Sequence, residues 1–183
     1  MMTMETLQRN SAEKRLRRKL IGQIDLGRWA LLAVVAITLL NQLLLMFGVK
    51  YHFFFSASMP YYLNWLGVEL SAVASVGAYR ALAVVLTLAL YVLYGACWLL
   101  SVQRREWLLA ALVIYAVDTV FLAVFALALL GNPASCLLEV ITHAPAVYAL
   151  YGAYRASGQL SDLSRSRRPA EAPSEPAPEG PLS

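Results

Sequence analysis

The chain has 183 residues, of which 60% are apolar and 14% are charged, and its formal net charge is +4. Soluble domains carry roughly 45–50% apolar and about 25% charged residues, so this composition excludes an ordinary soluble domain. The apolar residues are concentrated in blocks, and each block is long enough to cross a bilayer as a helix of about 20 residues.

Four apolar blocks predict four membrane-spanning helices. They cover about residues 29–47, 81–100, 107–130 and 134–154. Helices are expected because a lone strand would leave backbone amides unpaired in lipid. The fourth block is the least apolar, since it contains Glu139, His143 and Pro145. A cleaved signal peptide is the alternative for the first block, although its apolar run exceeds the usual length of about 7–15 residues.

The basic residues predict the orientation of the chain. Thirteen of the fifteen Lys and Arg residues precede the first span, join spans two and three, or follow span four, and only Lys50 and Arg80 lie on the other side. Basic residues are enriched on the cytoplasmic side of membranes. We therefore expect both termini to be cytoplasmic, in a protein of the bacterial cytoplasmic membrane.

The two ends of the chain differ in composition from the spans. The basic segment 1–28 is expected to lie against anionic lipid headgroups, and the positive charge does not indicate a nucleic-acid partner. The tail, residues 156–183, is rich in Pro, Ala, Ser and Glu and has little to bury, so it is predicted to be disordered in the cytoplasm.

The outer loop, residues 49–78, is rich in aromatic side chains, which favour the bilayer interface. Ser58 is a candidate N-cap, with Pro60 in the first turn of a short helix. Met59, Leu63, Leu66 and Leu70 would share one face, which predicts an amphipathic interfacial helix. This loop is either a lid packed on the bundle or a site for a ligand or partner. The aromatic residues of interest are Phe53, Phe54, Phe55, Tyr61, Tyr62 and Trp65.

Ionisable residues lie inside the apolar blocks. Asp118 and His143 are each about halfway along a span, so antiparallel neighbours would bring them to the same depth. Glu139 is one turn from His143 on the same helix face. A carboxylate at the centre of a span costs about 2.5–3.5 kcal/mol, so such residues turn inward and find partners. Asn41, Tyr115 and Thr119 are the further candidates for this polar cluster.

Three interpretations of the polar cluster compete. It is a structural hydrogen-bonded layer, a path for protons or cations, or a metal site in which Asp118, Glu139 and His143 supply three ligands to an ion such as zinc. The sequence contains no nucleophile elbow, paired-histidine metalloprotease motif or phosphate-binding loop. No catalytic residue is therefore assigned, and no cofactor is expected.

Three stretches, FFFSASMPYYL, AVDTVFLAVF and EVITHAPAVYALYGAYRA, resemble a family of small, uncharacterised bacterial membrane proteins with four spans. That family has an aromatic FSA-x-x-PY loop, an aspartate in span three and an acidic-x-x-x-His pattern in span four. The resemblance covers about residues 25–158 and implies architecture only, since the family has no established activity.

Together these features predict an all-α bundle of four transmembrane helices, with a short interfacial helix in the first outer loop. The expected function is that of a non-enzymatic accessory or assembly protein with a structural polar layer, working as a homo-oligomer or with another membrane protein. The alternative is a small subunit that translocates protons or cations through the intramembrane acids and histidine.

Overall fold

The computed structural model describes residues 4–49, 51, 53, 55–125 and 133–166, and the regular structure among them is entirely helical. Five helices follow one another: α1 (Met4–Met46), α2 (Ser58–Ala74), α3 (Ala78–Leu100), α4 (Glu106–Phe125) and α5 (Pro133–Arg165). The all-α prediction is confirmed. Within the described residues α1, α3 and α4 are long and apolar enough to cross a membrane, as expected for a small membrane protein.

Two helices extend well beyond the predicted spans. Helix α1 begins at Met4, so most of the basic segment is helical, and α5 continues past residue 154 to Arg165. The prediction that disorder starts at 156 is therefore wrong for residues 156–165, and residues 167–183 lie outside the described part. Helix α5 continues because small residues, Ala153 and Ala156, remain buried along its seam with α1.

Two pairs of helices approach each other closely at a glycine. A Cβ atom added to Gly27 of α1 would overlap the side chain of Ala153 and lie 2.8 Å from the carbonyl oxygen of Ala149, both on α5. A Cβ atom added to Gly67 of α2 would overlap the side chain of Ala83 on α3. Small residues of this kind let helix backbones pack closely in lipid.

The segment between α1 and α2 folds back into the bundle. The side chain of Asn41 donates to the carbonyl oxygen of Phe53 (2.8 Å), and its own carbonyl oxygen accepts the N–H of Phe53 (2.7 Å). One turn earlier on α1, the hydroxyl oxygen of Thr38 accepts the N–H of Ala57 (2.8 Å). Because Thr38 precedes Asn41 on the helix, residues 53–57 run antiparallel to α1 and into the protein.

Helix α2 therefore begins in the interior, beside Asp118 about halfway along α4, and returns to the end of the bundle where α1 stops. A helix lies where the sequence predicts one, but its interfacial position is not confirmed. On the predicted apolar face Leu70 is exposed, whereas Met59, Leu63 and Leu66 are partly buried. The buried positions of α2 are Ser58, Pro60, Tyr62 and Gly67.

Helices α2 and α3 form a tight antiparallel hairpin. Ser75, which ends α2, has the left-handed backbone conformation that commonly terminates helices (φ 55°). The hydroxyl of Thr87, in the middle of α3, points at the carbonyl oxygen of Pro60 at a distance of 3.3 Å. The start of α2 is thus surrounded by α1, α3, α4 and α5, which places the polar residues of four helices around one short segment.

Candidate functional site

The carboxylate of Asp118 binds the first turn of α2. Its Oδ2 atom accepts the backbone N–H of Ser58 at 2.8 Å, and its Oδ1 atom accepts the N–H of Met59 at 2.6 Å. The side chain is only 1% exposed. A carboxylate at this place faces the partial positive charge that aligned peptide dipoles create at a helix N-terminus.

Each backbone N–H group at the start of α2 has an acceptor outside the helix. The first four N–H groups of a helix lack partners within the helix, and here they fall at positions 57–60. Ala57 donates to Thr38, Ser58 and Met59 donate to Asp118, and Pro60 has no N–H to satisfy. The start of the helix is therefore fully satisfied by side chains from α1 and α4.

This arrangement corrects the prediction that Ser58 caps its own helix. The N-cap position is Ala57, which makes no side-chain capping bond, and the first turn contains no acidic residue. The capping group is instead Asp118, which lies sixty residues later in the chain. The prediction that Pro60 lies in the first turn is confirmed.

His143 of α5 packs against the same carboxylate. Its Nε2 atom lies 3.3 Å from Oδ2 of Asp118 and 3.4 Å from the hydroxyl oxygen of Ser58. The imidazole is fully buried and stacks on the ring of Tyr115, with centroids 5.0 Å apart. The structure thus brings Asp118 and His143 into contact, as their positions along the chain predict.

The group of Ser58, His143 and Asp118 does not have the geometry of a catalytic triad. In a triad the hydroxyl and the carboxylate contact opposite nitrogens of the imidazole, so that a proton passes from one side while the other is held. Here the hydroxyl and the carboxylate both contact Nε2. The carboxylate is also occupied by two backbone N–H groups, so the arrangement positions a helix rather than activates a nucleophile.

Asn41 belongs to the same polar region, although its partner is the returning segment and not Asp118. Besides its paired bonds to Phe53, its amide donates to the hydroxyl of Ser56 at 2.9 Å, and Asn41 is 1% exposed. Sequence reasoning missed Thr38 and Ser56. The signal for Thr38 was its place three residues before Asn41, on the same face of α1.

The remaining candidates of the polar cluster divide into three cases. The hydroxyl of Thr119 donates to the backbone carbonyl of Tyr115 within α4 (2.9 Å). The Tyr115 hydroxyl is buried without a hydrogen-bond partner in the part of the chain that is described. Glu139 lies within α5, but its side chain falls outside the described residues. In that described part, no three acidic, histidine or cysteine side chains converge on a metal position, so the proposed set of Asp118, Glu139 and His143 remains a prediction.

The aromatic residues of the outer loop mostly pack α2 against α4. The ring of Tyr62 lies 4.6 Å from that of Phe125 between centroids, and the ring of Trp65 meets Phe125 edge-on at 6.1 Å. Tyr61 meets Tyr62 edge-on at 5.3 Å. Elsewhere in the loop, Phe55 packs on the main hydrophobic core and Phe53 is 53% exposed. Phe54 lies outside the described residues.

Comparison of the chain with protein-family models, with curated proteins and with solved structures finds no match.

Proposed function

We propose that the chain is a four-span integral membrane protein of the cytoplasmic membrane, with cytoplasmic termini, that works without catalysing a reaction. Its role is that of an accessory or assembly protein, and its polar cluster fixes the inward segment 53–60. The observation that carries this proposal is the pair of bonds from the backbone of α2 to the two oxygens of Asp118.

The energetic reason is the cost of irregular backbone in an apolar environment. An unsatisfied amide transferred from water to an apolar medium costs roughly 2–7 kcal/mol. Non-helical backbone at membrane depth is tolerated only where protein surrounds and satisfies it. Residues 53 and 55–57 are non-helical, and the side chains of Asn41 and Thr38 accept the N–H groups of Phe53 and Ala57. The polar residues are therefore needed to hold this loop inside the bundle.

The same geometry supports a structural role over a proton relay. A relay carboxylate must exchange its proton and its partners during turnover. Protonation of Asp118 would remove the negative charge from the acceptor of the Ser58 and Met59 N–H groups and so weaken these two hydrogen bonds. A proton relay through Asp118 would thus loosen the start of α2 at each cycle.

Two features support the fourth span and the orientation. Helix α5 presents exposed apolar residues, among them Leu137, Leu138 and Ile141, on the part that runs beside the apolar half of α1. Most basic residues lie in the first part of α1, between α3 and α4, and in or after the last part of α5. The family resemblance is part of the same proposal and agrees with this threading.

Proteoliposomes with an entrapped pH-sensitive dye test the non-catalytic, non-transporting role. The protein should carry no more proton or cation flux than empty liposomes under an imposed gradient, and Asp118→Asn should not change that value. Flux in the unmutated protein that Asp118→Asn abolishes, without loss of fold by circular dichroism, would establish the relay instead.

Thiol labelling in intact cells tests the orientation. Cysteine at the exposed position 51 should react with a membrane-impermeant maleimide, whereas cysteine at the exposed position 103 should react only after lysis. The reverse pattern would refute the proposed threading. Position 56 is unsuitable as a probe, because Ser56 is buried against Asn41.

A further inference from the structure

A cavity of about 450 Å³ lies between α1, α2 and α3, and neither Asp118 nor His143 lines it. This volume falls within the range of about 300–1,000 Å³ typical of ligand sites. Its surface is mostly apolar and includes the side chains of Leu45, Val68, Val84 and Leu88, with the ring of Trp65 on one side.

Each of the three helices around this apolar cavity contributes a polar side chain to its wall. Arg80 lies in the first turn of α3, where the cavity meets the end of the bundle, and its guanidinium makes no ion pair with any residue that the structure describes. The side-chain carbonyl oxygen of Gln42 is buried on the α1 wall and has no hydrogen-bond partner among the described residues. The amide of Asn64 lines the α2 wall.

The length of the cavity matches one leaflet of a bilayer. Along α3 it extends from Arg80 to Tyr91, which at about 1.5 Å per residue corresponds to roughly 16 Å. Half of a hydrocarbon core of about 30 Å is about 15 Å. With the proposed membrane threading, Arg80 stands at the level of the headgroups, and a mostly apolar wall continues from it towards the bilayer centre.

We infer that this cavity binds one phospholipid, with its phosphate on Arg80 and one acyl chain along the α2–α3 wall. Arg80 is the only cation of the described residues at this end of the bundle, and a planar guanidinium is well suited to phosphate oxygens. The unused acceptor of Gln42 favours a headgroup that also donates a hydrogen bond, such as a glycerol hydroxyl. This inference rests on the proposed function in two respects: the membrane threading puts Arg80 at the headgroups, and the orientation assigns the lipid to the outer leaflet.

Brominated lipid and the fluorescence of Trp65 test the site. Full-length protein in which Trp29, Trp98 and Trp107 are replaced by phenylalanine is titrated in detergent with phosphatidylglycerol brominated on its acyl chains. Quenching of Trp65 should saturate at one lipid per protein. Diacylglycerol with the same brominated chains should bind about tenfold more weakly or worse, because it lacks the phosphate.

Matched variants separate the contributions of phosphate and chain. Arg80→Gln should weaken binding of the phospholipid about tenfold or more and leave that of diacylglycerol unchanged. Arg104→Gln, which removes an exposed cation at the opposite end of the bundle, should change neither. Val84→Phe should reduce the binding of both lipids by filling the cavity, and circular dichroism verifies that each variant is folded.

Two outcomes would overturn the inference. Phospholipid binding to Arg80→Gln equal to that of Arg104→Gln would show that no phosphate is recognised there. A protein dimer in native mass spectrometry that Val84→Phe dissociates would show that a second copy occupies the cavity. Neither result bears on the proposed function, which proton flux and labelling from the two membrane sides test separately.

Discussion

Replacing Asp118 by asparagine should loosen the start of α2 without unfolding the bundle. An amide offers one acceptor oxygen where the carboxylate has two, so one of the two N–H groups, of Ser58 or Met59, loses its partner. A hydrogen bond to a charged group contributes about 1.5–3 kcal/mol. Since about 1.4 kcal/mol corresponds to a factor of ten, the open state of this segment should become roughly 10- to 150-fold more populated.

A thiol at position 58 measures this opening. Ser58→Cys retains the backbone N–H that Asp118 accepts and gives up only a side-chain contact of 3.4 Å. In a background with Cys97 and Cys136 replaced by alanine, the rate of maleimide labelling in detergent reports how often the segment opens. Asp118→Asn should raise that rate by the factor above, and Asp118→Ala should raise it further because both N–H groups lose their acceptor.

The matched control is Glu106→Gln, the same acid-to-amide change on the same helix. Glu106 is exposed and its ion pair with Arg105 spans 3.7 Å, so its loss should cost about 0–1 kcal/mol and leave the labelling rate nearly unchanged. Equal labelling rates for Asp118→Asn and Glu106→Gln would refute the conclusion that the carboxylate holds the start of α2.

Three further substitutions probe the packing by thermal unfolding in detergent. Gly67→Ala should lower the melting temperature by forcing α2 away from α3. The control is Gly95→Ala, whose Cβ has open space around it and which should be neutral or stabilising by up to about 1 kcal/mol. Equal effects of the two substitutions would contradict the close approach of α2 to α3. Gly27→Ala should likewise separate α1 from α5, while Gly152→Ala, which meets no atom within 4 Å, serves as its control. Tyr115→Phe removes a buried hydroxyl that has no partner within the described residues and should stabilise the protein by about 1–3 kcal/mol; a loss of stability would mean that this hydroxyl has a partner after all.

The apolar blocks predicted most of the helical architecture because length and hydropathy are properties of the local sequence. The block at 81–100 became α3 (Ala78–Leu100), with a boundary shift of three residues at its start. The pairing of Asp118 with His143 was also predictable, since two antiparallel helices bring residues near their midpoints to the same depth. Both inferences need only distances along the chain.

The partner of Asp118 on α2 was not predictable in this way. Glu139 and His143 are recognisable as partners for Asp118 because their side chains are ionisable. The groups that bind both carboxylate oxygens are backbone N–H donors of Ser58 and Met59, and every residue except proline has such a donor. The only local sign was a helix start with no acidic residue in its first turn, which left the positive end of α2 without a partner of its own.

The apolar stripe of α2 does not mark its buried face, for a reason that applies to helices in lipid. An apolar stripe marks the inward face of a helix in water, because the outward face must be polar. In a bilayer the outward face is apolar as well, so small or polar residues mark the contacts between helices. Gly67 and Ser58 face the bundle, whereas Leu70 is exposed.

The polar residues therefore follow the path of one backbone segment rather than form a self-contained site. Asn41 and Thr38 of α1 bond to the backbone of Phe53 and Ala57, Asp118 of α4 bonds to that of Ser58 and Met59, and Thr87 of α3 bonds to that of Pro60. Each of these four side chains is at least 96% buried. Each bonds chiefly to the backbone of the segment that leads into α2 or to the first turn of α2. These bonds explain why a chain of apolar helices keeps an aspartate, an asparagine and two threonines in its interior.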